Sequence, residues 1–245
     1  MMSPAFTLIV GGLIGACLGS FSATAVGRLA RGERRMAGRS RCDACAIALG
    51  YSRTLPIISY VQALGACRSC GARIDPAQLI GEVAGAGIVP LALAVAPMPR
   101  ALVLAALGLF LLAAALFDYK THRLPDLLTL AVAGLASTLA IQRSPVGLLS
   151  GLAAAFITFS LLELSRRGFL RIKGENGLGR GDIKLIAALA IWLGPATPWA
   201  VAVAAVLGLA AHHASPSRNG MIAFGPMIAL ACWGVGMASE ASPWL

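Results

Sequence analysis

The sequence predicts an all-α polytopic membrane protein of about eight transmembrane helices, with a small cytoplasmic zinc-ribbon-like module between the first and second spans. Three observations predict it. Of the 245 residues, 58% are hydrophobic and only 12% charged, against about 25% charged in soluble domains, and the mean hydropathy is +0.81. The apolar residues gather into runs, several as long as the roughly 17–25 residues that cross about 30 Å of hydrocarbon. Four of the six cysteines form two C-x-x-C pairs inside the one long polar stretch.

The first run, Pro4 to Val26, is apolar apart from small hydroxyl residues. It is too long for a cleaved signal peptide and lacks the basic segment that would open one, so it reads as a retained span. The polar stretch from Gly27 to Gln78 follows and is the single segment long enough to fold outside the bilayer. Seven further runs succeed it: Leu79–Pro97, Ala101–Phe117, Leu124–Gln142, Val146–Leu164, Ile183–Gly194, Trp199–Ala211 and Met221–Ala238. Those starting at Ile183 and Trp199 are short. The chain divides accordingly into a first span (1–27), a cytoplasmic module (28–78) and a membrane-embedded remainder (79–245).

Cation placement orients this map. With the polar module in the cytoplasm, that side holds nine Lys/Arg in 28–73, two in 118–123, six in 166–184 and Arg218, which makes 18, while the other side holds Arg100 and Arg143. Such a bias is the positive-inside signature, and it places the N-terminus in the periplasm. It also accounts for the net charge of +10 by topology and anionic headgroups rather than by nucleic-acid binding.

On this map Asp118 ends the third span, Asp126 begins the fourth and Asp182 begins the sixth, so three carboxylates share one depth at the cytoplasmic boundary. An aspartate before a helix can cap it, since it accepts orphan N–H groups and meets the positive end of the macrodipole, which would explain Asp126 and Asp182. Asp118 sits at the opposite, unfavourable end of its helix. A carboxylate placed at a cost points to use. Two membrane-boundary aspartates suit aspartyl hydrolysis, in which a carboxyl pair shares a proton and activates a water against a peptide carbonyl.

Other nucleophilic sets are weaker. His122, His212 and His213 read as loop residues, Ser20, Ser22 and Ser160 as helix-packing hydroxyls within spans, and Cys17 and Cys232 as small core residues. Around Asp182 the sequence GLGRGD supplies Gly177, Gly179 and Gly181, which would allow close backbone approach and positive φ and leave the carboxylate accessible. In the polar module, Cys42 and Cys45 lie 21 residues before Cys67 and Cys70, close to the spacing of zinc ribbons. Four thiolates about 2.3 Å from Zn²⁺ would close a structural tetrahedral site and organise a loop too poor in apolar residues for its own core. A redox dithiol pair is the alternative, and a reducing cytoplasm favours metal.

Several blocks in order resemble the type IV prepilin peptidases, bacterial inner-membrane aspartyl proteases of the GxGD class. They are GSF at 19–21 with Arg28-Leu29, LPIISY at 55–60 between the cysteine pairs, and Glu82 in the second span. FDYKTHRLPD at 117–126, KGENGLGRGDIKLIAALAIWLG at 173–194 and FGPMIALA at 224–231 complete the set. The resemblance covers nearly the whole chain. It implies a catalytic pair of Asp118 and Asp182 framed by Gly179, Gly181 and Lys184, with Asp126 as a helix-starting residue, and a membrane-embedded aspartyl peptidase domain over 79–245. It implies substrates that are prepilins and the pseudopilins of type II secretion, cut after a glycine at the cytoplasmic face to release a short basic leader. Many members also methylate the new N-terminus with S-adenosylmethionine. Nothing in the residues themselves adds to that activity: no strand followed by GxGxxG is present, and the polar module is too small for a Rossmann domain. Two residues depart from the family pattern, Ala23 where members carry Asn and Ala223 where they carry Pro before FGP.

The residues leave two other readings open. The chain could be a non-catalytic zinc-ribbon membrane scaffold, in which the cysteines matter and the aspartates do not, or a membrane thiol carrier, in which the C-x-x-C pairs hold no metal. The expected partners are the prepilin substrates and the lipid bilayer, with no nucleic acid. The number of copies in an assembly, the residues that bind a methyl donor and the individual substrates are not legible.

Overall fold

The structure, a computed structural model, describes residues 3–33, 38–50, 54–175, 177–214 and 223–241. Arg34, Arg35, Arg53 and Arg218 of the cation count, and Met221 at the start of the last apolar run, lie outside the described residues. Nine α-helices are described: α1 (Pro4–Ala30), α2 (Ile58–Gln62), α3 (Pro76–Val95), α4 (Arg100–Thr121), α5 (Asp126–Arg143), α6 (Pro145–Lys173), α7 (Arg180–Leu193), α8 (Thr197–Ala214) and α9 (Gly225–Ala241). Among the described residues there is no β-strand, only the isolated bridges Arg41–Ala48 and Ala66–Arg73.

In its described residues, each of the eight apolar runs lies mainly on one of the longer helices. Five stretches are long and apolar enough to cross a membrane: Ala5–Ala30, Pro76–Val95, Arg100–Thr121, Pro145–Lys173 and the continuous Arg180–Ala214, in which α7 and α8 are joined by a 3-10 turn. The chain forms two compact units, Met1–Ala94 and Val95–Leu245.

In the first unit α1 and α3 meet through glycine. Gly15 and Gly19 lie against the backbone of Gly85 and Gly81, so closely that a Cβ on any of the four would collide with its neighbours. Both helices carry the four-residue glycine spacing that lets helices approach in apolar surroundings. Beside this seam Glu82 is buried, and its carboxylate accepts from Ser20 Oγ at 2.8 Å, Gln78 Nε2 at 3.0 Å and the Ile57 backbone N–H at 2.6 Å. Three separate motifs, GSF, LPIISY and Glu82, converge there. Ile57 holds φ 63°, an uncommon backbone for a β-branched residue, and the Glu82 hydrogen bond helps to hold it.

In the second unit α4 packs on α5 and α9, while α7 packs on α5, α6, α8 and α9. Its core is built from large side chains: Leu104, Leu107 and Leu111 of α4, Val132 and Leu139 of α5, Ile183, Leu185 and Leu189 of α7, and Ile228 of α9. Helix α7 is buried continuously from Leu185 to Leu193, as expected of a helix apolar on every face. By contrast α6 leaves Phe156, Ile157, Leu161 and Leu164 exposed, the surface a helix presents to hydrocarbon.

Arg100 and Arg143, which the sequence offers only as topological charges, both pair with Glu240. Arg100 Nε lies 2.7 Å from Oε2 and Nη2 2.6 Å from Oε1, Arg143 Nη2 lies 3.3 Å from Oε1, and Trp192 Nε1 donates to the same oxygen at 2.9 Å. Arg100 also donates to the Leu139 carbonyl. One carboxylate therefore ties α4, α5, α7 and α9 together at one end of the unit.

Candidate active site and metal centre

The other end of α4 and α9 holds the aspartates. Helix α4 finishes in a left-handed cap at His122, whose N–H donates to the Asp118 carbonyl at 2.8 Å. The Asp118 carboxylate is buried, and its Oδ2 accepts from the backbone N–H of Gly225 at 2.8 Å. Gly225 is the first residue of α9. The unfavourable dipole at the end of α4 is thus opposed by the favourable N-terminus of another helix, a compensation that sequence reasoning about Asp118 did not contain.

Asp182 occupies the third helical position of α7, whose N-cap is Gly179. The Asp182 carboxylate lies back beside Gly179, at the position of the back-reaching half of a capping box. The glycines act by size: a Cβ on Gly179 would stand 2.8 Å from Asp182 Oδ2, and one on Gly181 would stand 3.0 Å from Leu124 Cβ. The expected positive φ is not found, since Gly179 has φ −67° and neither Gly177 nor Gly181 is among the positive-φ glycines. The correction has a simple cause. The chain enters α7 through an extended N-cap, and the left-handed residue falls earlier, at Gly174, which terminates α6.

Asp182 is half-buried and interacts electrostatically with Asp118. Helices α4 and α7 both pack on α5 and on α9. Asp126 lies apart. It starts α5, its side chain is 79% exposed, and Lys184 Nζ pairs with its Oδ1 at 2.7 Å. Lys184, two residues beyond Asp182, therefore reaches Asp126. Of the three carboxylates, Asp118 is buried and Asp182 half-buried, while Asp126 is exposed in an ion pair.

Three lesser expectations change. His122 is a helix cap, and His212 and His213 lie in the last turn of α8, because that helix runs on to Ala214. Cys17 is exposed on α1, whereas Cys232 is buried in α9. Gly225 is the site residue that sequence reasoning missed. Its signal was the Gly-Pro step opening an apolar run, since proline is favoured in the first turn of a helix where its missing N–H costs nothing.

The four cysteines come together. Their sulfurs all lie within 4.8 Å of one another, with Cys42 and Cys70 at 3.8 Å. Sulfurs about 2.3 Å from a common ion stand about 3.8 Å apart at the corners of a tetrahedron, so the cage fits Zn²⁺. The two knuckles repeat one backbone pattern. Cys42 N–H donates to Ile47 as Cys67 does to Ala72, Ala46 to Cys42 as Gly71 to Cys67, and Leu49 to Ser40 as Ile74 to Gly65. The residue after each second cysteine is left-handed, Ala46 at φ 57° and Gly71 at φ 71°. Backbone N–H groups of Ser69 and Cys70 pull the Cys67 thiol down to about 6. At Cys70 the Ala72 N–H acts downward, but the Cys45 thiol, desolvation and the thiols of Cys67 and Cys42 outweigh it and raise Cys70 to about 11. Four clustered thiols cannot all ionise unaided, and a divalent cation removes that conflict.

Comparison with known proteins agrees with this layout. Residues 105–212 match the model of the type IV leader peptidase family, and residues 13–96 match the bacterial peptidase A24 N-terminal domain. The chain belongs to the type IV leader peptidase family. It is 34% identical over 206 residues to the prepilin leader peptidase/N-methyltransferase of Burkholderia pseudomallei strain 1026b, covering 78% of this chain and 64% of the relative. To the protein of that name from Neisseria gonorrhoeae it is 31% identical over 219 residues, covering 84% of this chain and 72% of the relative. To the type 4 prepilin-like proteins leader peptide-processing enzyme of Escherichia coli O78:H11 it is 32% identical over 199 residues, covering 78% and 72%. The match thus spans under two thirds of the Burkholderia relative's length. No solved structure matches.

Proposed function

We propose that the protein is a membrane aspartic endopeptidase that removes the leader from type IV prepilins and type II secretion pseudopilins. What supports this reading is that Asp118 and Asp182 are both withdrawn from solvent and close enough for the charge of one to act on the other, in a family whose relatives are named for prepilin processing. One carboxyl of the pair holds a proton and the other does not. The ionised one takes a proton from water as the water oxygen attacks the scissile carbonyl, and the protonated one gives its proton to the carbonyl oxygen. Collapse of the resulting gem-diol breaks the C–N bond, and a proton passes to the leaving amine. Gly179 and Gly181 keep space beside Asp182 for its carboxylate and for the Leu124 loop.

The wider assignment follows the same reading. The chain crosses the bacterial inner membrane about eight times with its N-terminus in the periplasm, and the aspartates work at the cytoplasmic face, where the prepilin leader lies. Residues 79–245 form the peptidase domain. Residues 28–78 form a module in which Cys42, Cys45, Cys67 and Cys70 hold a structural zinc ion. The relatives' names also support N-methylation of the new N-terminus with S-adenosylmethionine as methyl donor.

The test is incubation of the purified protein with a model prepilin and isotopically labelled S-adenosylmethionine, read by mass spectrometry. Loss of the leader mass is the expected result for the peptidase, and one added methyl group on the mature chain is the expected result for the second activity. An intact prepilin after prolonged incubation with zinc-loaded protein would refute the peptidase assignment.

A further inference from the structure

The FGP step at 224–226 has a division of labour that the peptidase reading leaves unused. The Phe224 ring is seated over Gly208 of α8, where a Cβ would stand 2.7 Å from its Cε2. The Phe224 carbonyl caps α9 by accepting from Met227 at 3.0 Å and Ile228 at 3.1 Å. Pro226 has no N–H. In the first turn of α9, where backbone donors have no partner within the helix, the Gly225 N–H is directed at Asp118 Oδ2 at 2.8 Å. The approach is closed to any other residue type, because a Cβ on Gly225 would stand 2.8 Å from both Cβ and Oδ2 of Asp118 and 3.0 Å from its Cγ.

The far end of α9 is fixed as well. Glu240, fifteen residues on, is bound by Arg100, which starts the helix that Asp118 ends. Helices α4 and α9 are thus antiparallel and clamped at both ends, by an ion pair at one and by the Gly225 to Asp118 hydrogen bond at the other. A carboxylate on the last turn of a helix has free torsions, and one short charge-assisted hydrogen bond from a rigid backbone removes them. We propose that Gly225 is a positioning residue for the hydrolysis: its N–H holds one oxygen of Asp118, and its missing side chain lets the carboxylate lie against the start of α9. This leaves the other oxygen to face Asp182 and the water. The inference rests on the peptidase reading and deepens it by giving α9 a role in the chemistry.

The decisive experiment replaces the Phe224–Gly225 amide with an ester in the full-length protein by semisynthesis, which removes the N–H and adds no atom. Prepilin cleavage is then compared with that of wild type, Gly225→Ala, Gly234→Ala and Asp118→Asn. A hydrogen bond to a charged group corresponds to about ten- to hundredfold in rate, so the ester is expected to lower kcat by that factor with KM within about twofold. Gly225→Ala keeps the N–H but displaces the carboxylate, and a loss of about hundredfold or more in kcat is expected. Gly234 lies on the same helix with open space around it, so Gly234→Ala is expected to match wild type. A purely structural role for Gly225 would lower the melting temperature and leave kcat of the folded fraction alone, and that outcome overturns the proposal. So does an ester whose kcat stays within twofold of wild type while Asp118→Asn is inactive. Cleavage by Asp118→Asn at the wild-type rate would instead remove the peptidase reading beneath it.

Discussion

In the α1–α3 seam the close glycines face backbone, and at the candidate site they face side chains. Gly15 and Gly19 of α1 lie on the main chain of Gly85 and Gly81, whereas Gly179 and Gly225 lie on the carboxylates of Asp182 and Asp118. Backbone cannot move aside, so a side chain added in the α1–α3 seam has to push the helices away from each other. A carboxylate can rotate. A side chain added on Gly179 therefore preserves the fold and spoils the geometry, whereas one on Gly225 also meets Asp118 Cβ, which rotation cannot move away. The same residue type therefore governs stability in one region and chemistry in the other.

The sharpest way to break this contrast is Gly85→Leu. Overpacking between two backbones is expected to destabilise the first unit by about 3 kcal/mol, read by thermal or denaturant unfolding in detergent. Gly87→Leu, on the same helix with nothing near its Cβ position, serves as the reference, and equal melting of the two variants would show that the seam is not a backbone contact. Next in size is Gly179→Ala. Cleavage is expected to fall about a hundredfold, from a misplacement of Asp182 of under about 1 Å, with unfolding shifted by no more than about 1 kcal/mol. A large loss of stability with unchanged cleavage per folded molecule would reverse the contrast.

Two smaller changes sharpen it. Ala46 holds a left-handed conformation that its counterpart Gly71 adopts without penalty. Ala46→Gly is expected to stabilise the metal-loaded module by about 0.5–1 kcal/mol, seen as slower zinc loss to a chelator. Lys184→Ala removes an exposed ion pair with Asp126, and a stability change of about 0.2–1 kcal/mol is expected, with cleavage close to wild type.

Much of the helical layout was legible because apolar runs of membrane-spanning length have few other structures open to them. The cysteine cage was legible for a similar reason: two C-x-x-C knuckles leave little choice of partner. Which carboxylates are buried was not. Asp118, Asp126 and Asp182 all read as residues at the ends of apolar runs, and what separates them is burial, set by contacts distant in sequence: Gly225, whose N–H Asp118 accepts, lies 107 residues beyond it. Arg100 and Arg143 read as topological charges because their common partner, Glu240, lies near the other end of the sequence. The glycine repeats at 11, 15 and 19 and at 81 and 85 were readable as a helix-pairing signal, but composition alone absorbed them into apolar spans.

The central claim is that Asp118 and Asp182 act together as the hydrolytic pair while the cysteine cage is structural. It is tested most directly by purifying Asp118→Asn and Asp182→Asn, measuring bound zinc, and following prepilin cleavage by mass spectrometry. Both variants are expected to bind one zinc ion per chain, as the wild type does, and to lose cleavage by about 10³-fold or more. Leader removal at the wild-type rate by either zinc-loaded variant would contradict the account.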